Sequence, residues 1–213
     1  LSCDAVWQHI IHAVADRCYC SLAAAIGHVT YDTRPDARPA NEPAPPTPFV
    51  GAVNVYVSYA GESSFLSLVA ALEEFEAAQQ ARATQGGEQL AGAAAPRKPS
   101  FFWFNPFCSD PTKEPHQMMP PLWVTHVLSR DIGAIGHTCL VLVKWAAPTA
   151  LTRAWVLLEL LPSAASGAKV SVSMAGDEAA SFAHALQHDQ QAVEDAVARW
   201  TLDAKIAVSS LAA

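Results

Sequence analysis

Phe101-Phe-Trp-Phe104 sets four aromatic residues in succession, so both faces of any strand they form are apolar. Such a strand must be covered on both sides, and a parallel sheet between two helical layers does this. The flanking segments agree. Val53 to Ser58 is β-branched and aromatic and predicts a strand. Phe65 to Ala78 predicts a helix, with Phe65, Leu68, Val69 and Leu72 as its apolar stripe. Leu122 to Ile132 reads as a helix, Thr138 to Lys144 as a strand, Leu151 to Leu161 as a helix and Lys169 to Met174 as a strand. Glu178 to Gln187 and Gln190 to Trp200 read as two closing helices. Four strands alternating with helices are the order of a doubly wound α/β sheet with right-handed crossovers. Ligands of such sheets bind outside the carboxyl ends of the strands. Ser58 to Glu62, Asn105 to Ser109 and Trp145 to Thr149 are therefore expected along that edge.

Composition divides the chain into three regions. Residues 1–33 read as an N-terminal helical extension, with Val6, Ile10, Ile11 and Val14 at helical spacing and a second short helix over Ser21 to Ile26. Residues 34–50 form a linker, because Arg34 to Pro48 carries six prolines in fifteen residues. Residues 51–211 make the α/β domain, interrupted at 79–99 by an Ala/Gly/Gln segment that buries little and is expected to be a flexible insertion. A chain that begins at Leu1 is expected to be a processed or truncated piece.

Charge narrows the partners. Charged residues are 15% of the chain, against roughly 25% in ordinary soluble domains, which suggests either a surface partly covered by protein partners or further chain, or dilution by an alanine-rich composition. The net charge is −7 and the basic residues are scattered, so no nucleic-acid footprint is present. No apolar run is long enough to span a bilayer. The five cysteines are odd in number and irregularly spaced, which fits reduced thiols in an intracellular, cytoplasmic setting. Cys18-Tyr-Cys20 lacks a second Cys/His pair at zinc spacing, and no metal site is expected.

The strongest chemical lead is Glu159, a single carboxylate in the otherwise nearly apolar stretch Leu151 to Leu161. On a helical wheel it lies about 40° from Trp155, with Thr152 and Val156 on the same side. A carboxylate beside an indole on an apolar helix must be paired, protonated or used. Two readings stay open: catalysis, or a structural bond to a backbone amide or to Arg130 or Arg153. Trp103 likewise reads as core or as a ligand platform. Asp110, Lys113, Glu114 and His116 read as a solvated loop.

Familiar catalytic frames are missing. No strand is followed by a Gly-rich phosphate cradle, which argues against hydride transfer and kinase chemistry. No Gly-x-Ser-x-Gly elbow occurs, which argues against an ordinary α/β-hydrolase.

Val55-Tyr-Val-Ser-Tyr-Ala-Gly61, Phe101-Phe-Trp-Phe-Asn-Pro-Phe107 and Leu140-Val-Leu-Val-Lys-Trp145, followed by Leu151-Thr-Arg-Ala-Trp155 and Glu159-Leu160, resemble TIR domains. More narrowly, they resemble a TIR-like branch found in large multidomain proteins of algae and protists. The resemblance runs from Val50 to Leu211 and is densest from Pro148 to Leu160. It implies a flavodoxin-like parallel sheet. It also implies that Glu159, on the third helix, is the catalytic residue of NAD⁺ glycohydrolysis, with NAD⁺ as substrate and no separate cofactor. Cleavage of the nicotinamide–ribose bond passes through an oxocarbenium-like state that a carboxylate stabilises. Tyr59, Trp103 and Trp155 would then stack on the substrate bases, and Ser58 would bind a ribose hydroxyl. Self-association, common in enzymatic TIR domains, follows from the same resemblance. The chain departs from the pattern at Val156, where relatives usually carry Cys, at Leu158, at Tyr59-Ala-Gly61, and in its long proline-rich loop after the second strand. A catalytically silent TIR-like interaction module is the alternative.

Overall fold

The computed structural model describes residues 1–13, 21–24, 50–87, 99–108 and 121–209. Among them four strands form one all-parallel sheet: β1 (Val55–Ser58), β2 (Phe102–Trp103), β3 (His137–Val141) and β4 (Lys169–Ser173). Their order across the sheet is β2-β1-β3-β4. The chain moves from β1 to β2 in one direction and crosses back to β3 on the other side. The order therefore reverses between β1 and β3, which is where such sheets open a crevice at their carboxyl edge.

Helices that accompany the sheet among the described residues include α1 (Cys3–Val6), α2 (Phe65–Gly87), α3 (Asn105–Cys108), α4 (Pro121–Ile135), α5 (Ala154–Ala165), α6 (Gly176–His188) and α7 (Gln190–Ser209). A π-helical turn, Trp7–Ile11, continues α1, and a 3₁₀ turn, Thr149–Thr152, leads into α5. Alternation along the strands assigns the two faces. Val55, Val57, Cys139 and Val141 pack with Leu68, Ala71 and Phe75 of α2. Leu140 and Leu142 turn the other way and pack with Val156 of α5 and Ala150. All four residues of β1 are buried, as expected of a central parallel strand.

Local sequence fixes the helix ends. Gly136 closes α4 with φ +74°, and its N–H donates to the Ile132 carbonyl. That left-handed turn suits glycine and feeds the chain directly into β3. Asp177 and Glu178 occupy the first turn of α6, where carboxylates meet the positive end of the helix dipole. Glu178 also accepts from the Trp145 backbone N–H at 3.1 Å and pairs with Lys144 at 2.5 Å.

Two expectations change in detail. Helix α2 continues to Gly87, so the first part of the segment expected to be a flexible insertion is helical; alanine and glutamine are good helix formers even where they bury little. Residues 88–98 and the proline-rich 34–49 lie outside the described residues. The start of the N-terminal extension is part of the main core. Cys3 is buried with Val55, Val57 and Phe104. The N–H groups of Cys3 and Asp4 donate to the Ser63 and Gly61 carbonyls, and the Phe65 N–H donates to the Leu1 carbonyl. Residues 1–4 thus lie along the loop that follows β1.

Candidate functional site

Period-2 alternation sends Tyr56 and Ser58 to the same face of β1, opposite Val55 and Val57. That face is covered by α5, whose sixth residue is Glu159. The carboxylate is 5% exposed and lies between the two hydroxyls. Tyr56 Oη donates to Glu159 Oε1 at 2.7 Å, and Ser58 Oγ donates to Oε2 at 2.5 Å. Each carboxylate oxygen therefore has its own hydroxyl donor, and the group sits at the carboxyl end of β1, beside the reversal of strand order.

A second pair of hydroxyls lies deeper in the same layer. Thr138, which pairs with Tyr56 in register, and Ser163 of α5 place their Oγ atoms 2.8 Å apart. Ser163 Oγ also donates to the Glu159 carbonyl at 2.9 Å, one helical turn back. Thr138, Ser58 and Ser163 are all fully buried. A buried polar row of this kind is tolerated because each member finds a partner.

Burial pushes the Glu159 carboxyl up from 4.5 to about 7, while hydrogen bonds from Ser58 and Tyr56, together with the Trp155 indole, pull it down. The carboxyl thus changes charge near neutral pH, where a group can serve as acid, base or electrostatic stabiliser. Burial, with the Glu159 charge, likewise raises the Tyr56 phenol well above its ordinary value, so it stays a donor.

The expected arginine partners are engaged elsewhere. Arg130 pairs with Asp131 at 2.8 Å and Arg153 with Glu62 at 3.1 Å. Hydroxyls take their place, because the residues that β1 turns towards α5, Tyr56 and Ser58, are uncharged. Of the other residues singled out, Ser58 touches Glu159 directly, and Trp155 stands at the first turn of α5, half-exposed. Tyr59 points to the opposite face and packs on Phe104, ring centroids 5.0 Å apart. Trp103 pairs with Tyr56 in register and, with Phe65, Leu68 and Phe107, borders an apolar cavity of about 740 Å³ beside β2. Leu157, Leu161, Val197 and Trp200 line another, of about 830 Å³, between α5 and α7. Glu159 borders neither of these cavities.

Tyr56 is the residue that the sequence reading passed over. Its signal was present: in Val55-Tyr-Val-Ser58 two hydroxyl-bearing residues two positions apart must share a face of a core strand.

No family model, curated protein or solved structure matches the chain. Among the described residues, no group of three or more His, Cys, Asp or Glu side chains could hold a metal ion. No helix among them is long and apolar enough to cross a membrane.

Proposed function

We propose that this chain is a TIR-like domain of flavodoxin-like topology that hydrolyses the nicotinamide–ribose bond of NAD⁺, with Glu159 as its catalytic carboxylate. The observation that carries the reading is the Glu159 carboxylate held between Tyr56 and Ser58, with Arg130 and Arg153 both paired elsewhere, at the carboxyl edge where the strand order reverses. The all-parallel order β2-β1-β3-β4 supports the topology, since it matches the first four strands of the flavodoxin-like order.

In the reaction the bond between the anomeric carbon and nicotinamide breaks, and nicotinamide leaves with the bonding electron pair. The positive charge left on the ribose is stabilised by the Glu159 carboxylate. Water adds at the same carbon and releases a proton. Trp155, one turn before Glu159 on the same side of the helix and half-exposed, offers an indole for a base to stack on. Contact with substrate requires the cover over Glu159 to open.

Incubation of the protein with NAD⁺ and measurement of free nicotinamide tests this. Release that falls at least about a hundredfold in Glu159→Gln fits the assignment; release that survives the substitution removes it. The competing reading is a catalytically silent interaction module. What favours it is the 5% exposure of Glu159, both of whose oxygens are already satisfied. Absence of nicotinamide release across a protein concentration series decides for that module.

A further inference from the structure

Among the described residues β4 is an edge strand, and it carries little of the usual protection of an edge. Lys169 at its start is its only charged residue, and it holds no proline and no acidic residue in a chain of net charge −7. Val170 and Val172 are 46% and 54% exposed. The hydrogen bonding to β3 fixes which backbone groups remain free. The Lys169 N–H donates to the Gly136 carbonyl, and the Ser173 carbonyl accepts from the Leu142 N–H. In a parallel pair the residues bonded to one neighbour alternate along the strand, so Lys169, Ser171 and Ser173 bond towards β3. The N–H and C=O of Val170 and Val172 then point to the open edge.

We infer that a second copy of this chain docks on β4, strand to strand and antiparallel, about a two-fold axis at Ser171. The sequence Lys-Val-Ser-Val-Ser is close to self-complementary about that centre. With Ser171 opposite the partner's Ser171, each Val170 lies opposite a Val172. Those are the residues with outward backbone groups, so the two chains form two doubly hydrogen-bonded pairs, four bonds in all. Each cross-strand pair is valine on valine, a favoured β pairing. Each Lys169 faces a Ser173 of the other chain and not another lysine, so the register carries no like-charge clash. Two four-stranded sheets become one continuous eight-stranded sheet, and the edges vanish from the centre. Such pairing is isologous, as closed dimers require. The inference is independent of Glu159 and of any turnover.

Hydrodynamic mass across a concentration series tests it, together with two edge variants and one cross-link. The expected result is a rise towards twice 22.6 kDa. Val172→Pro removes only an outward N–H and leaves the β3 pairing intact, so it should hold the protein monomeric while remaining folded. Val172→Lys should do the same by charge, and it serves if the proline variant fails to fold. Ser171→Cys should form a disulfide-linked dimer under mild oxidation, because non-hydrogen-bonded antiparallel pairs stand about 4.5 Å apart at Cα. The parent protein and Ala183→Cys, on the exposed face of α6, give the background. A parent that stays monomeric at every concentration overturns the inference. So does a dimer that both edge variants leave intact, or a Ser171→Cys cross-link no faster than background.

Discussion

Tyr56 Oη and Glu159 Oε1 lie 2.7 Å apart, although 103 positions separate the two residues in sequence. The bond ties the central strand to the helix that covers it, and it supports the ionised form of a buried carboxyl. Tyr56→Phe should cost about 1.5–3 kcal/mol, the usual range for a buried hydrogen bond to a charged group. Because the lost donor favours the carboxylate, the penalty should be larger at pH 8 than at pH 6. Urea unfolding of parent and variant at the two pH values measures this. An equal penalty at both would mean that the phenol does not favour the charged form.

The Glu159 carboxyl also links stability to pH. It ionises near 4.5 when unfolded and at about 7 in the folded protein. Between those values the folded state holds a proton that the unfolded state has lost. Its stabilisation is therefore full below pH 4.5 and is lost as pH rises through 7, by about 3 kcal/mol in total. The His137 imidazole, lowered by burial and then by Lys169, works in the opposite direction at acid pH. Comparison with Glu159→Gln separates the two, since the variant keeps the histidine. The variant should lose the decline between pH 5 and 8 and should be more stable than the parent at pH 8. Parallel stability curves for the two proteins would show that Glu159 is not the source.

The layered α/β arrangement was legible because its signals are local and redundant. A doubly apolar Phe101–Phe104, a β-branched Val53–Ser58 and an alternating Lys169–Met174 each leave few alternatives. Glu159 was legible for a related reason, as one charge among leucines. What surrounds it was harder to foresee. Tyr56 and Ser58 reach it through the pairing of one strand with one helix, and nothing in the spacing of residues 56 and 159 announces that contact. Arg130 and Arg153 looked like partners because cations satisfy carboxylates, yet each has an acidic neighbour nearer to hand. Helix α2 outran its apolar stripe through a run of alanine, glutamine and arginine, good helix formers that need no buried face.

The Thr138–Ser163 pair tests how far the buried polar row depends on mutual satisfaction. Ser163→Ala removes the partner of the Thr138 hydroxyl and leaves that group buried, at a cost of about 1–3 kcal/mol. Adding Thr138→Val removes the orphan as well. The double variant should therefore be less destabilised than the sum of the two single changes, by at least about 0.5 kcal/mol. Chemical denaturation of all four proteins completes the cycle. Strict additivity would show that the two hydroxyls are satisfied independently.

Two glycines three residues apart in α4 and its turn should respond to the same substitution with opposite sign. Gly136 has φ +74° and nothing within 4 Å of the position a Cβ would take, so Gly136→Ala meets no steric obstacle and its whole cost is backbone strain. That cost is about 1 kcal/mol or slightly more. Gly133 lies inside the helix, and a Cβ there would rest 3.4 Å from the Ser166 Cβ, an ordinary van der Waals contact. Gly133→Ala should therefore stabilise the protein by about 0.5–1 kcal/mol, through better helix propensity and a less flexible unfolded chain. For a domain of this size each change should move the melting temperature by about 2–4 °C, downward for Gly136→Ala and upward for Gly133→Ala. Thermal unfolding of both variants under one buffer reads the sign directly. A fall for Gly133→Ala would mean that α4 and the end of α5 are packed more tightly than this spacing allows.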